Sequence, residues 1–129
     1  MTAPVIEVYL DGESWDVKSL GQNAGHLQGT AWFGETGNIV LAGHVELPDG
    51  RAGIFADIDE MNLGDPVIMR LNEAQRRYSI TSIRKVAPDD LSVFYPTEDD
   101  QLTLITCDAY DFLQNSYQER LVVVAERVA

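Results

Sequence analysis

The chain has no long apolar run, and it is poor in cysteine, histidine and basic residues. A membrane helix needs roughly 18 or more consecutive apolar residues, and no stretch approaches that length. Met1 leads directly into the apolar-rich segment 5–10, without the charged and apolar regions of a signal peptide. Taken literally, this pattern predicts a soluble cytoplasmic protein, or else a domain cut from a longer protein.

The scarcity of positive charge excludes one class of partner. The chain has nine Lys and Arg residues and 21 Asp and Glu residues, which gives a net charge of -12. No basic run is present, so the chain should repel nucleic acids and anionic lipid headgroups. The 129 residues are 45% apolar, enough for one modest core, and no repeat or linker divides them. We therefore expect a single domain over residues 1–129.

A single cysteine, Cys107, and two histidines limit the metal and disulfide chemistry. An intrachain disulfide is impossible, and a structural zinc site of the usual kind is disfavoured. A lone thiol is either a buried apolar group or a nucleophile. An acidic cluster could be read as a calcium site, but it lacks the spacing of a calcium loop, so we expect a solvated surface and no metal. Its members are Glu46, Asp49, Asp57, Asp59 and Glu60.

Short strands separated by turn residues dominate the pattern and predict an all-β fold. Strands are predicted over residues 5–10, 39–42, 66–71, 77–86, 101–106 and 120–127. One or two short helices are expected, around residues 54–61 and 88–91. The apolar runs 39–42 and 121–125 suggest strands covered on both faces, as in a small closed barrel.

The residues able to perform chemistry lie at predicted strand ends. Cys107 and His44 each follow an apolar strand, and Arg120 begins the last one. A cysteine nucleophile needs a base to take its proton and a donor to stabilise the oxyanion that forms on an amide carbonyl. A rigid barrel can display such groups at its strand ends and loops. These three residues are therefore the candidate catalytic set. Many proteins contain one cysteine, a histidine and an arginine, so the residue types alone are weak evidence.

Residues 103–107 read TLITC, residues 37–44 read GNIVLAGH and residues 120–125 read RLVVVA. These three segments resemble the sortase family of cysteine transpeptidases, whose nucleophile signature is TLxTC. Residues 37–44 resemble the segment that ends in the sortase catalytic histidine, and residues 120–125 resemble its arginine strand. The order His, Cys, Arg matches, and the similarity runs over nearly the whole chain. The 13-residue spacing from Cys107 to Arg120 is typical of a compact subclass of the D, E or F type.

The resemblance implies a closed eight-stranded β-barrel and a thioester mechanism without a cofactor. It implies that Cys107 is the nucleophile, His44 the general acid/base and Arg120 the residue that holds the substrate backbone or the oxyanion. The substrate would be a sorting signal similar to Leu-Pro-x-Thr-Gly, cut after the threonine. Four residues next to the catalytic pair are expected to contact the substrate: Ala42, Gly43, Ile105 and Thr106.

The resemblance also implies partners and a location. The acyl group would pass from a surface protein to an amine, either a cell-wall precursor or a pilin lysine. The enzyme would act as a monomer on the outer face of a bacterial membrane, held there by the missing N-terminal anchor. Asp108 follows the nucleophile, and a neighbouring carboxylate raises a thiol pKa; it could tune activity or point into solvent.

Three alternatives stay open at this level. An L,D-transpeptidase-like cysteine enzyme normally carries His-Gly before its cysteine, where this chain has Ile105 and Thr106. A sortase-shaped module could bind a peptide without cutting it, and a plain β-barrel could carry an inert thiol. His26 is expected to have a structural hydrogen-bonding role. Arg127, seven residues beyond Arg120 along one strand, falls on the opposite face of that strand.

Overall fold

Nine β-strands and two short 3-10 helices form the regular structure of the residues that the structure describes. The computed structural model describes residues 4–11, 14–15, 20–47, 49–87, 90–107 and 120–128. The strands are β1 (Val5–Val8), β2 (Leu10–Asp11), β3 (Ser14–Trp15), β4 (Ala24–Leu27), β5 (Asn38–His44), β6 (Pro66–Leu71), β7 (Ala74–Val86), β8 (Gln101–Cys107) and β9 (Arg120–Arg127). The 3-10 helices span Ile58–Glu60 and Leu91–Phe94.

Seven of the strands form one sheet in the order β1-β4-β5-β8-β9-β7-β6, and β2 pairs with β3 separately. The pairs β1–β4 and β5–β8 are parallel. The other neighbouring pairs of the large sheet are antiparallel. The parallel β5–β8 pair lies near the middle of the sheet, so the C-terminal ends of these two strands emerge side by side.

Two hydrophobic clusters cover the two faces of this sheet, because alternate residues of a strand point to opposite faces. We call them the first face and the second face. The first face carries Ala24, Ile39, Leu41, Phe55, Ile58, Met69, Tyr78, Ile80, Leu102, Leu104, Val123 and Ala125. The second face carries Val8, Leu20, Leu27, Val40, Ala42, Val86, Val93, Ile105 and Val122.

A β-bulge lets the long strand β7 serve both clusters. The register between β7 and β9 shifts between Ile80 and Ser82. A bulge inserts one extra residue, bends the strand and changes which residues face each side. Ile80 and Ile83 therefore pack with the first cluster, whereas Val86 packs with the second. Strand propensity alone does not locate such a shift.

The all-β expectation is confirmed, but the closed eight-stranded barrel is not what the described residues form. They form a curled half-barrel of seven strands, with β1 and β6 as its edges. The apolar runs that suggested closure do need cover on both faces. In the second cluster this cover includes Leu20, outside the strands, and Val93 in the second 3-10 helix. Burial on both sides therefore does not require the sheet to close on itself.

The strand bounds agree closely with the sequence patterns. Strands β6 and β9 have the predicted bounds, while β5 reaches His44 and β8 reaches Cys107. Of the two predicted short helices, the first is a 3-10 turn at Ile58–Glu60. The second 3-10 turn spans Leu91–Phe94, so it begins three residues later than the prediction of 88–91. Among the described residues, no helix has the length and apolar character that crossing a bilayer requires.

Tyr78 lies in the first cluster with its side chain fully buried, and its hydroxyl has no hydrogen-bond partner among the described residues. A buried unpaired hydroxyl is destabilising. We expect Tyr78→Phe to raise the free energy of unfolding by up to about 1 kcal/mol, measured by urea denaturation. Tyr78→Ala is the contrast and should lower it by about 3–5 kcal/mol through the cavity it leaves. A clear loss of stability in Tyr78→Phe would contradict the unpaired hydroxyl.

Asp100 ties the start of β8 to the end of β9. The Arg127 Nη1 donates to Asp100 Oδ2 at 2.8 Å, and the Gly37 N–H approaches Asp100 Oδ1 at 3.4 Å. The hydrogen bond from Arg127 is the main reason that the pKa of the Asp100 carboxyl lies below its ordinary value. A depressed carboxyl pKa stabilises the folded state above the unfolded-state pKa, and this contribution is lost as the pH falls.

The Asp100→Asn variant keeps an acceptor for Gly37 and loses the charge. We expect it to be less stable than wild type at pH 7 by no more than about 1 kcal/mol, since the pair is partly exposed. The difference should shrink below about pH 4, where the wild-type carboxyl takes up its proton. Asp49→Asn is the control, because Asp49 pairs with Arg51 in a fully exposed local contact. A difference that persists unchanged at pH 2 would contradict the charge effect.

Candidate active site

The parallel register of β5 and β8 sets His44 directly opposite Cys107. Their backbones are Cα partners, the last pair of a ladder that starts at Asn38 and Gln101. Adjacent strands lie about 4.8 Å apart, so the two candidate residues occupy neighbouring positions at one end of the sheet. Cys107 is described here by its backbone. The histidine side chain is buried.

Arg120 completes this arrangement from the other side of β8. Strands β8 and β9 pair antiparallel from Gln101 with Glu126 to Ile105 with Val122. The same register carried two residues further sets Cys107 against Arg120. The Leu121 N–H donates to the Thr106 Oγ1 at 2.9 Å, which holds the two strands together between these positions. The three candidate catalytic positions therefore lie in one row across three adjacent strands.

The alternation of the strands assigns this row to the second face. His44 follows Val40 and Ala42 by even spacing, position 107 follows Ile105, and Arg120 precedes Val122. Paired positions of neighbouring strands face the same side of a sheet. Farther along the same face lies a small pocket of about 100 Å³, lined by Val122 and Val124 and by polar residues that include Asn38, Arg84 and Thr103.

The four residues expected to contact substrate lie directly beside the row. Ala42 pairs with Ile105, and both side chains are buried in the second cluster. Gly43 pairs with Thr106. A Cβ at Gly43 would meet the Phe55 ring at 2.6 Å, so protein fills the space on that side. The Thr106 hydroxyl also reaches the Leu121 carbonyl at 3.4 Å, so its hydrogen bonds hold β9. Substrate contact by these residues stays a prediction.

A close backbone crossing supports His44. The Phe55 N–H donates to the His44 carbonyl at 3.0 Å, and the Gly53 N–H donates to the Val45 carbonyl at 2.8 Å. A Cβ on Gly53 would lie 2.0 Å from the His44 carbonyl oxygen. Glycine is therefore required where this segment passes the histidine. Sequence reasoning missed Gly53, whose only signal was a glycine nine residues after the histidine.

The second histidine has a structural environment away from the row. His26 Nδ1 lies 2.8 Å from Glu7 Oε2, and Nε2 lies 2.8 Å from the Ala31 carbonyl. The ring centroid also lies 4.3 Å from that of Trp32. These contacts join β1 and β4 to the following turn, which agrees with the expected structural role of His26. The rival arginine, Arg127, lies at the far end of β9.

Other residues singled out in the sequence have simpler positions. All five members of the acidic cluster are exposed, and the described residues contain no group of three His, Cys, Asp or Glu side chains that could hold a metal. Trp15 packs against Phe94 with centroids 4.8 Å apart, on the flank of the second cluster. Asp108 and the rest of segment 108–119 lie outside the described residues.

Comparison with known proteins agrees with this geometry. The family model for the sortase domain matches residues 1–128. The chain belongs to the sortase family. Sortase A of Staphylococcus aureus (strain NCTC 8325 / PS 47) is 35% identical over 95 residues, which are 70% of this chain and 45% of the relative. Sortase D of Bacillus subtilis (strain 168) is 28% identical over 117 residues, 90% of this chain and 56% of the relative.

Solved sortase structures share the fold. Sortase A from Corynebacterium diphtheriae superposes with a TM-score of 0.76 at 31% identity, covering 98% of this chain and 55% of that one. Sortase C-1 from Actinomyces oris gives 0.77 at 28% identity, covering 100% and 68%. The present sortase chain thus spans about half the length of the curated relatives it matches. The L,D-transpeptidase alternative is therefore not the family of this chain.

The crossing beside His44 yields a test. We expect Gly53→Ala to lower both stability and any activity that needs His44, because the new methyl group displaces the histidine backbone. The loss of stability should be about 1–3 kcal/mol, as for other overpacked sites. Gly64→Ala is the control: Gly64 has a positive φ that disfavours alanine, yet a Cβ there meets open space. It should lose stability while keeping activity. Equal activity losses in the two variants would contradict a specific role for the crossing.

Proposed function

We propose that this sortase domain is a cysteine transpeptidase that cleaves a Leu-Pro-x-Thr-Gly-like sorting signal after the threonine and transfers the acyl group to an amine. The observation that carries the proposal is the row of His44, Cys107 and Arg120 across three paired strands. Family membership supplies the reaction class, and the register supplies a base and a cation on either side of the nucleophile position.

The first half of the reaction forms a thioester. The Cys107 sulfur attacks the carbonyl carbon of the scissile peptide bond, and His44 accepts the thiol proton. A new S–C bond replaces the C–N bond when the tetrahedral intermediate collapses. His44 then passes its proton to the leaving amine, so that no charge is left on the departing peptide.

The second half reverses these roles with a new amine. The acceptor amine attacks the thioester carbon, forms a C–N bond and expels the Cys107 sulfur. His44 takes the proton of the attacking amine and returns it to the sulfur. Arg120 donates to the oxyanion or to the substrate backbone in both halves. Each amide bond broken is balanced by one formed, which is why no cofactor is needed.

The second face supplies a surface for the peptide. The pocket is lined by Val122 and Val124 from the sheet and by Val93 and Tyr95 from outside it, with polar residues such as Arg84 among them. Two residues along a strand cover about 7 Å, so an extended peptide of a few residues reaches from Cys107 to this pocket. That distance suits a short signal with an apolar residue upstream of the scissile bond.

The biological setting follows from family membership. Sortases act at the bacterial cell surface, and the substrates proposed here are surface proteins that carry the sorting signal. The acceptor amine would come from a cell-wall precursor or a pilin lysine. The sortase would work as a monomer and reach the membrane through an N-terminal anchor. The alternative is a sortase-shaped module that binds the signal without cutting it.

The deciding experiment follows acyl transfer directly. Wild type and Cys107→Ala are incubated with a quenched Leu-Pro-x-Thr-Gly peptide library and hydroxylamine, and the products and intact protein masses are measured. We expect threonine hydroxamate and an acylated protein from wild type only. His44→Ala should lower kcat/KM by about 10²–10⁴-fold, and Arg120→Ala by about 10²–10³-fold.

Two variants serve as matched controls. Arg127→Ala removes an arginine from the same strand but from its far end, and His26→Gln removes the other histidine. Both should keep nearly wild-type kcat/KM. Cleavage by Cys107→Ala equal to that of wild type would overturn the nucleophile assignment. Binding of the signal without cleavage, together with rapid alkylation of Cys107, would favour the binding module, and resistance to alkylation in the folded state would favour an inert thiol.

A further inference from the structure

The segment 90–97 forms one wall of the pocket on the second face, opposite the sheet. Ser92, Val93, Tyr95 and Pro96 from this segment line the pocket together with strand residues that include Val122. Val93 is buried in the second cluster and Phe94 packs against it. The shape of the pocket therefore depends on how this segment is held over the sheet.

One buried side chain holds the segment by two hydrogen bonds. Asn38, the first residue of β5, donates from Nδ2 to the Val93 carbonyl at 3.0 Å and to the Tyr95 carbonyl at 3.1 Å. The other hydrogen bonds made by the described residues of this segment stay within or next to it, such as Ser92 N–H to Asp90 Oδ1 and Tyr95 N–H to the Ser92 carbonyl. Asn38 thus provides the polar link between the segment and the sheet.

The other end of the Asn38 amide is fixed by β8. The Thr103 hydroxyl donates to Asn38 Oδ1 at 2.7 Å, and Gln101 Nε2 approaches the same oxygen at 3.4 Å. These donors determine which end of the amide is oxygen. The NH₂ group must then point at the two carbonyls of the segment. All hydrogen-bonding capacity of this buried amide is used, so its orientation is set by the strands and passed on to the segment.

We infer that Asn38 is a positioning residue for substrate recognition: it holds segment 90–97 in place as the wall of the pocket that receives an apolar side chain of the sorting signal. This inference rests on the proposed function. Asn38 acts through Val93 and Tyr95 and makes no contact with the reacting atoms. Six residues separate it from His44 along β5, which corresponds to about 20 Å.

The distance predicts which kinetic parameter changes. An interaction far from the reacting carbonyl is the same in the bound substrate and in the transition state, so losing it weakens binding without slowing the chemical step. A changed residue at 38 should therefore raise KM and leave kcat almost unchanged. It should also reduce the preference for a signal that carries the apolar residue.

The Asn38→Asp variant tests the positioning role of Asn38 by replacing the amide nitrogen with an oxygen. The carboxylate keeps an oxygen for Thr103 but turns an acceptor towards the Val93 and Tyr95 carbonyls, so both links to the segment are lost. Asn38→Ala is the second variant, in case the buried charge prevents folding. Steady-state kinetics are measured with Leu-Pro-x-Thr-Gly and Ala-Pro-x-Thr-Gly peptides. We expect KM for the leucine peptide to rise about tenfold with kcat within about twofold, and the leucine preference to fall.

Hydrogen exchange by mass spectrometry gives a readout that does not depend on activity. Faster exchange is expected in residues 91–97 of both Asn38 variants, with β5 and β8 unchanged. His26→Gln is the control for exchange, because the Asn38 side-chain bonds to Val93 and Tyr95 stay intact there. It is also the control for activity, since it removes a buried hydrogen-bonded side chain at the β1–β4 edge and should leave KM unchanged.

Each outcome decides the inference. Unchanged exchange in 91–97 in a folded Asn38 variant would overturn the positioning role, and so would a loss confined to kcat. If wild type cleaves neither peptide, the proposed function fails on its own account. The exchange measurement then still decides whether Asn38 holds the segment.

Discussion

The parallel pairing of β5 with β8 is the constraint on which the site depends. Parallel neighbours end at the same edge of a sheet, so two residues that finish such strands are brought together by backbone hydrogen bonds alone. Here that pair is His44 and Cys107. A slip of one residue would turn one of them to the other face. Such a slip is disfavoured because both faces of the strand are buried. Ile39 packs in the first cluster and Val40 in the second.

Burial on both faces also explains how the half-barrel formed by the described residues can be rigid in the middle. The central strands β5, β8 and β9 are covered on both sides, whereas the edge strand β1 has exposed residues such as Val5 and Ile6. Reactive groups placed on central strands are held more firmly than groups on loops. The row of His44, Cys107 and Arg120 uses this part of the sheet.

The second face divides into two regions with different tasks. At one end, backbone and hydroxyl contacts fix the row of His44, Cys107 and Arg120, as Gly53 does beneath His44 and Thr106 does beside Leu121. At the other end, the Asn38 amide fixes the wall of a pocket. Because the two regions lie on the same strands, the number of strand residues between them sets the distance that separates them. In the proposed function, this number sets how many peptide residues lie between the pocket and Cys107.

Composition and motif order by themselves determined the all-β class, most strand bounds and the three candidate catalytic residues. The alternation of apolar and polar residues is visible in the sequence and predicts strands. The TLITC segment is a local motif, so it can be recognised without knowing any tertiary contact. The half-barrel instead of a closed barrel, the bulge in β7 and the roles of Gly53 and Asn38 were decided only by the tertiary structure. Each depends on which distant segments meet, such as Asn38 with Val93, and a single sequence carries no record of contacts between residues so far apart in the chain.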